Sequence, residues 1–234
     1  MKMQREVKTM QNSHFWEMKQ SAPDTLELYI YSTVEADSWW KESETSAAHF
    51  RDMLALHRDA KEIKIYINSL GGSVMEGIAI YNQLKRHSAH KTVVIDGFAC
   101  SIASVIAMAG DTVIMPKNTV MMIHNAWTIA MGNPAELRKA ADDLDIINQA
   151  SRQAYLDKSG GKITEETLTE LLDAETYLTA EQCIAYGFAD KFADDAPKSD
   201  TQKEQLAEQL AMQEFAQRKA RVDAAIAAIH KHFG

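Results

Sequence analysis

The sequence predicts an α/β fold built from strand–helix–strand units. Short apolar strands alternate with helical segments through the first half of the chain, and turn residues separate them. The second half is mostly helical and includes one long amphipathic helix that starts at Asn133-Pro134. Strand–helix alternation implies right-handed crossovers, and folds of this kind place their functional sites at strand ends.

Apolar periodicity defines the elements of the first half. Alternation of apolar and polar residues, or a short apolar run, predicts a strand at each of five places: 26–34, 63–67, 92–95, 112–115 and 120–123. Helical spacing of apolar residues, or a run of small apolar residues, predicts three intervening helices: 43–57, 73–86 and 102–109. The glycine-containing segments 68–72 and 97–101 are expected to be turns.

Capping residues define the helices of the second half. Asn133 suits an N-cap, and Gly160 suits the end of the long helix. Thr164 caps the next helix, and Thr179 with Gln182 forms a capping box for the last one. The three predicted helices cover 134–158, 164–172 and 179–187.

The composition indicates one main globular domain with a small appendage. The chain has 234 residues, of which 46% are hydrophobic, and a net charge of −8. An acidic chain lacks the basic face that phosphate binding needs, so nucleic acid is excluded as the main partner. No apolar run reaches the roughly 18 residues of a transmembrane helix. Residues 1–20 lack the apolar core of a signal peptide, so we expect a cytoplasmic protein without a membrane partner.

Four segments are expected along the chain. Residues 1–25 predict an N-terminal arm, and residues 26–193 predict the main domain. The run around Pro197 predicts a linker over residues 194–200. Residues 201–234 are charged and rich in alanine, with apolar residues near helical spacing, and they predict a C-terminal helical extension.

Ser101 is the candidate nucleophile because it lies where an apolar strand runs into a helix of small residues. The small residues before it allow a tight turn, and a helix N-terminus behind it favours a nearby oxyanion. The alternative is a serine that only caps the helix. Ser104 is expected to pack inside the helix, and Cys100 is expected to be a small buried residue rather than a nucleophile.

His124 is the candidate base because it alone, among eight histidines, ends an apolar strand. The earlier turn contains Gly71-Gly72, whose backbone lets a substrate carbonyl approach, with the N–H of Gly72 as an oxyanion donor. A structural histidine and a plain glycine turn are the alternatives. The combination with Ser101 favours acyl-transfer hydrolysis, which needs all three parts.

A third residue, an acid, would orient the histidine ring. Asp173 and Glu175 are the candidates because both precede a short apolar strand. A solvated acidic turn is the alternative, and spacing alone does not choose between the two carboxylates. Cys100 and Cys183 show neither CxxC nor Cys/His spacing, which predicts no metal site and suits a reducing compartment.

Four motifs in order resemble those of the ClpP peptidase family, within the ClpP/crotonase superfamily. The motifs are Y-I-N-S-L-G-G at 66–72, G-F-A-C-S at 97–101, V-M-M-I-H at 120–124, and the pair Y-L-T-A-E and Y-G-F-A-D at 177–181 and 186–190. Each is short, but their order and spacing are specific, and the similarity covers residues 26–192. The chain is most similar to ClpP-like proteases of tailed phages and prophages, the head-maturation (prohead) type.

This resemblance implies Ser101 as the nucleophile and His124 as the base. It implies an oxyanion hole formed by the backbone N–H groups of Gly72 and Ile102. Alignment without gaps places the acid at Glu175, and Asp173 is the alternative. The resemblance implies no cofactor and no metal.

The resemblance also implies an architecture and partners. The fold would be a superhelix of repeated ββα units with a protruding handle helix at 134–158. The helical tail predicted after residue 194 has no counterpart in the family. A homo-oligomeric ring or stacked double ring would act on protein or peptide substrates, with phage capsid or scaffold proteins among its partners. Leu70, Cys100 and Asn125-Ala126 depart from the family's usual residues. The arm does not resemble the family's axial-loop segment, so docking of a Clp ATPase is not implied.

We therefore expect a serine endopeptidase that processes capsid or scaffold proteins during phage head maturation. One alternative is the general proteolytic subunit of an ATP-dependent Clp protease. A crotonase-like acyl-CoA enzyme is a further alternative, although such enzymes normally work through carboxylates. A non-enzymatic scaffold that works through its C-terminal helix is the last alternative.

Overall fold

The computed structural model describes residues 15–35 and 46–193. The predicted linker and C-terminal helix, at 194–200 and 201–234, lie outside the described residues. The strands are β1 (Trp16–Ala22), β2 (Thr25–Tyr31), β3 (Glu62–Ser69), β4 (His90–Cys100), β5 (Thr112–Met115), β6 (Val120–Ile123), β7 (Thr176–Thr179) and β8 (Lys191–Phe192). The helices are α1 (Ala47–Leu56), α2 (Val74–Arg86), α3 (Ile102–Ala107), α4 (Pro134–Ser159), α5 (Glu165–Asp173) and α6 (Ala180–Tyr186).

The sheet confirms the predicted mixed α/β class. Its strand order is β1-β2-β3-β4-β5-β8, and β6 pairs with both β4 and β7. Strands β2, β3, β4 and β5 are parallel neighbours, and α1, α2 and α3 connect them in turn. The pairs β1–β2 and β6–β7 are antiparallel. The βαβ units of the first half are therefore present as predicted.

Strand β4 carries two different neighbours along its length. Residues Thr92–Val94 pair with β5, whereas Phe98–Cys100 pair in parallel with Val120–Met122 of β6. The sheet thus divides at β4, and β6 continues beside its carboxyl-terminal half. This division places the ends of β4 and β6 next to each other, which is where the candidate nucleophile and base follow.

The core lies on one face of the central strands. Alternate residues of β2, β3 and β4 are fully buried, whereas the residues between them are partly exposed. Helix α3 is buried along its whole length, as its small apolar residues predict. Each fully buried branched side chain contributes about 1.5–3 kcal/mol relative to exposure, so this layer holds the strands in register.

Helix α4 begins and ends as its capping residues predict. Asn133 forms a capping box with Glu136, and Gly160 closes the helix in the left-handed conformation. The buried residues of α4, Asn148, Ala154, Tyr155 and Ser159, all lie in its second half. Its first half packs little, and Leu137 there is an exposed apolar residue.

The N-terminal arm predicted at 1–25 contains, in the part that the structure describes, a strand that was not predicted. Residues 16–22 form β1, which pairs with β2. Only Trp16 of this strand is buried, and it packs edge-on against Phe50 at 5.3 Å. The other six residues are partly or fully exposed, so the strand lacks the apolar face that reveals a strand in a sequence.

Three other boundaries differ from the prediction. The segment 97–101 is not a turn, because β4 continues through Cys100 and only Ser101 bends. The predicted strand over 26–34 ends at Tyr31, and Val34 forms an isolated bridge to Gly72. Strand β8 was not predicted, because a strand of two residues is too short to show an alternation of apolar and polar residues. No helix in the described ranges is long and apolar enough to cross a membrane.

Candidate active site

Ser101 occupies the junction between β4 and α3 in a strained backbone conformation. Its φ is 53° and its ψ is −130°, a combination that side chains other than glycine rarely adopt. Its N–H donates to the carbonyl oxygen of Met122 at 2.8 Å, which ties the bend to β6. Its hydroxyl makes no capping hydrogen bond to α3. The alternative of a simple helix cap is therefore wrong, and the strain is typical of a nucleophile held out of its strand.

The hydroxyl of Ser101 is directed to His124 instead. The Nε2 atom of His124 lies 2.7 Å from Oγ of Ser101, within hydrogen-bond distance. The parallel register of Cys100 with Met122 explains the contact, since Ser101 and His124 follow the ends of these neighbouring strands. Both side chains are half-buried, so solvent and a substrate can still reach them.

Gly71 allows the turn after β3 to lie directly against Ser101. A Cβ atom on Gly71 would lie 2.6 Å from Cβ of Ser101 and 3.1 Å from the nitrogen of Ile102. Gly71 also has a φ of 94°, which favours glycine on backbone grounds alone. Both observations require glycine at this position.

Gly72 is held so that its N–H faces away from Val34. The N–H of Val34 donates to the oxygen of Gly71 at 2.7 Å, and the N–H of Ser73 donates to the oxygen of Val34 at 2.8 Å. In such a parallel bridge the middle residue directs its own N–H to the opposite side. The N–H of Ile102 is the first of α3 and has no partner within that helix. None of the described residues accepts a hydrogen bond from either N–H group, so both are available to an oxyanion.

Two polar side chains that the sequence places in the glycine turn hold it in place. The hydroxyl of Ser69 donates to the oxygen of Ser32 at 2.5 Å and accepts from the N–H of Gly71 at 3.2 Å. Asn68 accepts from the N–H of Phe98 at 3.2 Å and links the turn to β4. The position of the glycines relative to Ser101 is thus fixed by hydrogen bonds as well as by packing.

The two candidate acids lie near His124 in different ways. In the β6–β7 ladder Ile123 is opposite Thr176, the first residue of β7, so His124 and Glu175 are the residues next to this last pair. Glu175 has a φ of 50° and an exposed side chain, so it does not continue the strand. Asp173 instead accepts a hydrogen bond at 2.6 Å from the side chain of Asn125, the residue after His124. The register therefore places Glu175 next to the end of the strand that precedes His124, whereas Asp173 is bonded to the residue that follows His124.

Asn148 of α4 is a supporting residue that sequence reasoning missed. Its side-chain oxygen accepts a hydrogen bond from the N–H of Ala126 at 2.7 Å. Its side chain is buried although the residue is polar. The sequence signal that could have revealed it is an asparagine on the apolar side of the helix, four residues after Leu144.

The remaining candidates are placed as expected. Cys100 is 1% exposed and Ser104 is fully buried, so neither side chain is accessible to a substrate. Burial raises the pKa of the Cys183 thiol to about 12, which leaves it protonated and unreactive at neutral pH. Within the described ranges, no cluster of His, Cys, Asp and Glu side chains could hold a metal ion.

Comparison with known proteins agrees with this geometry. The family model described as Clp protease matches residues 38–196, which is more than half of the chain. The chain belongs to the Clp protease family. The resemblance seen in the four motifs is thereby confirmed, and the family is one of serine-type peptidases.

Curated relatives within the Clp protease family are about one third identical to the chain over the residues that align. An ATP-dependent Clp protease proteolytic subunit of Ligilactobacillus salivarius is 35% identical over 133 residues, which cover 56% of this chain and 66% of the relative. A protein of the same name from Pleurastrum terricola is 29% identical over 143 residues, which cover 60% and 71%. The similarity to each relative thus spans about two thirds of its length.

Proposed function

We propose that the chain is a serine endopeptidase in which Ser101 attacks the scissile carbonyl and His124 takes the hydroxyl proton on Nε2. His124 then donates this proton to the leaving amine, and the acyl group remains on Oγ as an ester. Water attacks the ester, His124 accepts a proton from that water, and Ser101 is restored with release of the acid product. The contact of 2.7 Å between Nε2 and Oγ carries this proposal.

The oxyanion of each tetrahedral intermediate would be bound by the N–H groups of Gly72 and Ile102. Both groups lack an acceptor among the described residues, and Gly71 brings their peptide segments together. Preorganised donors of this kind stabilise charge that develops only during the reaction. These donors need no conformational change to bind the oxyanion, because the turn is already fixed against Ser101.

Glu175 is proposed as the acid that orients His124. Its support is the β6–β7 register and the ungapped alignment, whereas the carboxylate of Asp173 is already bonded to Asn125. Asp173 would then fix the segment that follows His124 rather than the imidazole itself. A glutamate is one methylene longer than an aspartate and can reach the ring from the start of a neighbouring strand.

A homo-oligomeric ring, or two stacked rings, is the proposed working assembly. The segment that follows His124 and the part of α4 up to residue 147 expose apolar side chains that a monomer would leave in water: Trp127, Ile129, Met131, Leu137, Ile146 and Ile147. Contiguous apolar surface of this kind favours association with further copies. In this arrangement α4 is the handle that meets its counterpart in another copy. A closed chamber would limit substrates to flexible or unfolded protein segments.

Capsid or scaffold proteins are the proposed substrates, with the protein acting in the cytoplasm of the host cell. This rests on the similarity of the four motifs to phage head-maturation proteases. The second candidate is a general proteolytic subunit, and the shared name of the curated relatives favours it. Cleavage of co-expressed capsid or scaffold protein without any ATPase would support the first, whereas activity only with a Clp ATPase would support the second.

Replacement of the nucleophile tests the peptidase activity itself. Ser101→Ala should abolish cleavage of a flexible protein substrate, and Ser88→Ala, at an exposed serine far from the site, should leave it unchanged. Full activity of Ser101→Ala would overturn the proposal. A reaction with an acyl-CoA thioester in place of a peptide would instead identify the crotonase-like alternative.

A further inference from the structure

A buried hydrogen-bond chain connects helix α4 to the backbone of Ser101. Tyr155 lies in the second half of α4 and is 1% exposed. Its phenolic oxygen is 2.6 Å from Oγ of Ser104, which is fully buried one turn into α3. Oγ of Ser104 in turn lies 2.5 Å from the carbonyl oxygen of Ser101.

Counting protons fixes the direction of this chain. Ser104 has a single hydroxyl proton, and the carbonyl oxygen of Ser101 can only accept. The hydroxyl of Ser104 therefore donates to Ser101, and the phenol of Tyr155 donates to Ser104. Burial raises the pKa of Tyr155 above its ordinary value, so its proton is retained across the working pH range.

The hydrogen bonds from Tyr155 and Ser104 matter because the backbone of Ser101 is strained. A residue other than glycine keeps a positive φ only where the surrounding structure holds it in that conformation. The peptide groups on either side of Ser101 are held by the bond from its N–H to Met122 and by the bonds that its oxygen accepts from Ser104. Ser104 can donate to the carbonyl oxygen of Ser101 without help, as serines in helices often do. The hydroxyl of Tyr155, which donates to Ser104, decides in which direction the Ser104 proton points.

We propose that Tyr155, acting through Ser104, is a positioning residue for the nucleophile Ser101. The hydrogen bond from Tyr155 leaves the Ser104 proton to be donated to the carbonyl oxygen of Ser101 at 2.5 Å, which lies much closer than the second acceptor, the carbonyl oxygen of Met122 at 3.4 Å. Oγ of Ser101 is thereby kept in line with His124. This inference rests on the proposed serine peptidase function.

Tyr155→Phe removes one hydroxyl and keeps the ring, which packs on Phe188 at 5.3 Å. Tyr186→Phe is the matched control, because Tyr186 packs on the same Phe188 at 5.9 Å. Its hydroxyl makes no hydrogen bond to any described residue. The measurement is the rate at which a fluorophosphonate labels Ser101, together with kcat and KM for a peptide. Thermal unfolding of each variant reports on the fold separately.

Tyr155→Phe should slow labelling and lower kcat by about three- to tenfold, the size expected for one lost hydrogen bond, with KM unchanged. Tyr186→Phe should label at the rate of the unmodified protein. In a Ser104→Ala background, Tyr155→Phe should have no further effect, because its action passes through the missing hydroxyl. If Ser104→Ala does not fold, Ser104→Cys, which keeps the size but is a weak hydrogen-bond partner, takes its place.

Three results would overturn the inference: labelling of Tyr155→Phe within 1.5-fold of the unmodified protein (roughly the measurement error), an equal loss in Tyr186→Phe, or additive losses in the double variant. Failure of the unmodified protein to label at Ser101 is a different result. It would overturn the proposed peptidase function on which this inference depends.

Discussion

The Nε2 atom of His124 lies 2.7 Å from Oγ of Ser101, although the two residues follow different strands of the sheet. The contact results from the division of the sheet at β4, whose last residues pair with β6. Each side chain follows the end of its strand, so the two meet without a long loop. A hydroxyl and an imidazole at this distance meet the geometric requirement for the first two members of a serine peptidase triad.

Gly71→Ala should inactivate the enzyme. The added methyl would overlap Cβ of Ser101, and the φ of 94° is unfavourable for alanine. Because displacement of a reacting group by about 1 Å can cost about 100-fold, we expect at least that loss in kcat/KM. Gly160→Ala is the control, since Gly160 also has a positive φ but has open space around its Cβ position. The Gly160→Ala variant should be about 1 kcal/mol less stable to unfolding, and its activity should be unchanged.

Glu175→Gln should reduce kcat much more than Asp173→Asn. Loss of the acid that orients a catalytic histidine lowers kcat by roughly 100- to 10,000-fold. Asp173→Asn keeps a side chain that can bond Asn125, so we expect less than about a tenfold loss. Steady-state kinetics on one peptide measure both. A larger loss in Asp173→Asn would assign the acid to Asp173.

Asn148→Ala should lower activity through the segment that follows His124. The change leaves the N–H of Ala126 without its acceptor, at a cost of about 1–3 kcal/mol. Activity and thermal stability should therefore both fall. Asn82→Ala, at an exposed position of α2, is the control and should change neither. An unchanged kcat in Asn148→Ala would show that Asn148 does not support the site.

Ile146→Asp should break the assembly. Ile146 is 65% exposed on α4, and a charge there would oppose burial of that surface against another copy. Light scattering at micromolar concentration should show a smaller particle than the unmodified protein forms. Asn82→Asp, which adds the same charge at an exposed position of α2, is the control and should leave the size unchanged. An unmodified protein that is already a monomer would contradict the proposed ring.

The parts of the fold that follow local rules could be predicted from the sequence. Capping residues located α4 and α6 almost to the residue, because the cap bonds involve neighbours three residues apart. Ser101, His124 and the glycine turn were also found, since short strands that end in chemically distinct residues leave a readable pattern. Their roles in catalysis stay predictions until the variants are measured.

Other parts depend on contacts between distant residues, which one sequence does not record. Strand β1 exists because β2 offers it an edge, not because it has an apolar face of its own. The chain from Tyr155 to Ser104 joins residues 51 positions apart. The proximity of the two candidate acids to the segment of His124 depends on the register of β6 with β7, which spacing along the chain does not contain.

Mass spectrometry of the fluorophosphonate-treated protein tests the central claim most directly. The account predicts one adduct per chain, located on Ser101, and labelling that is slowed by several orders of magnitude in His124→Ala. An adduct on another residue, or labelling of His124→Ala at the rate of the unmodified protein, would contradict the claim that Ser101 and His124 act together as nucleophile and base.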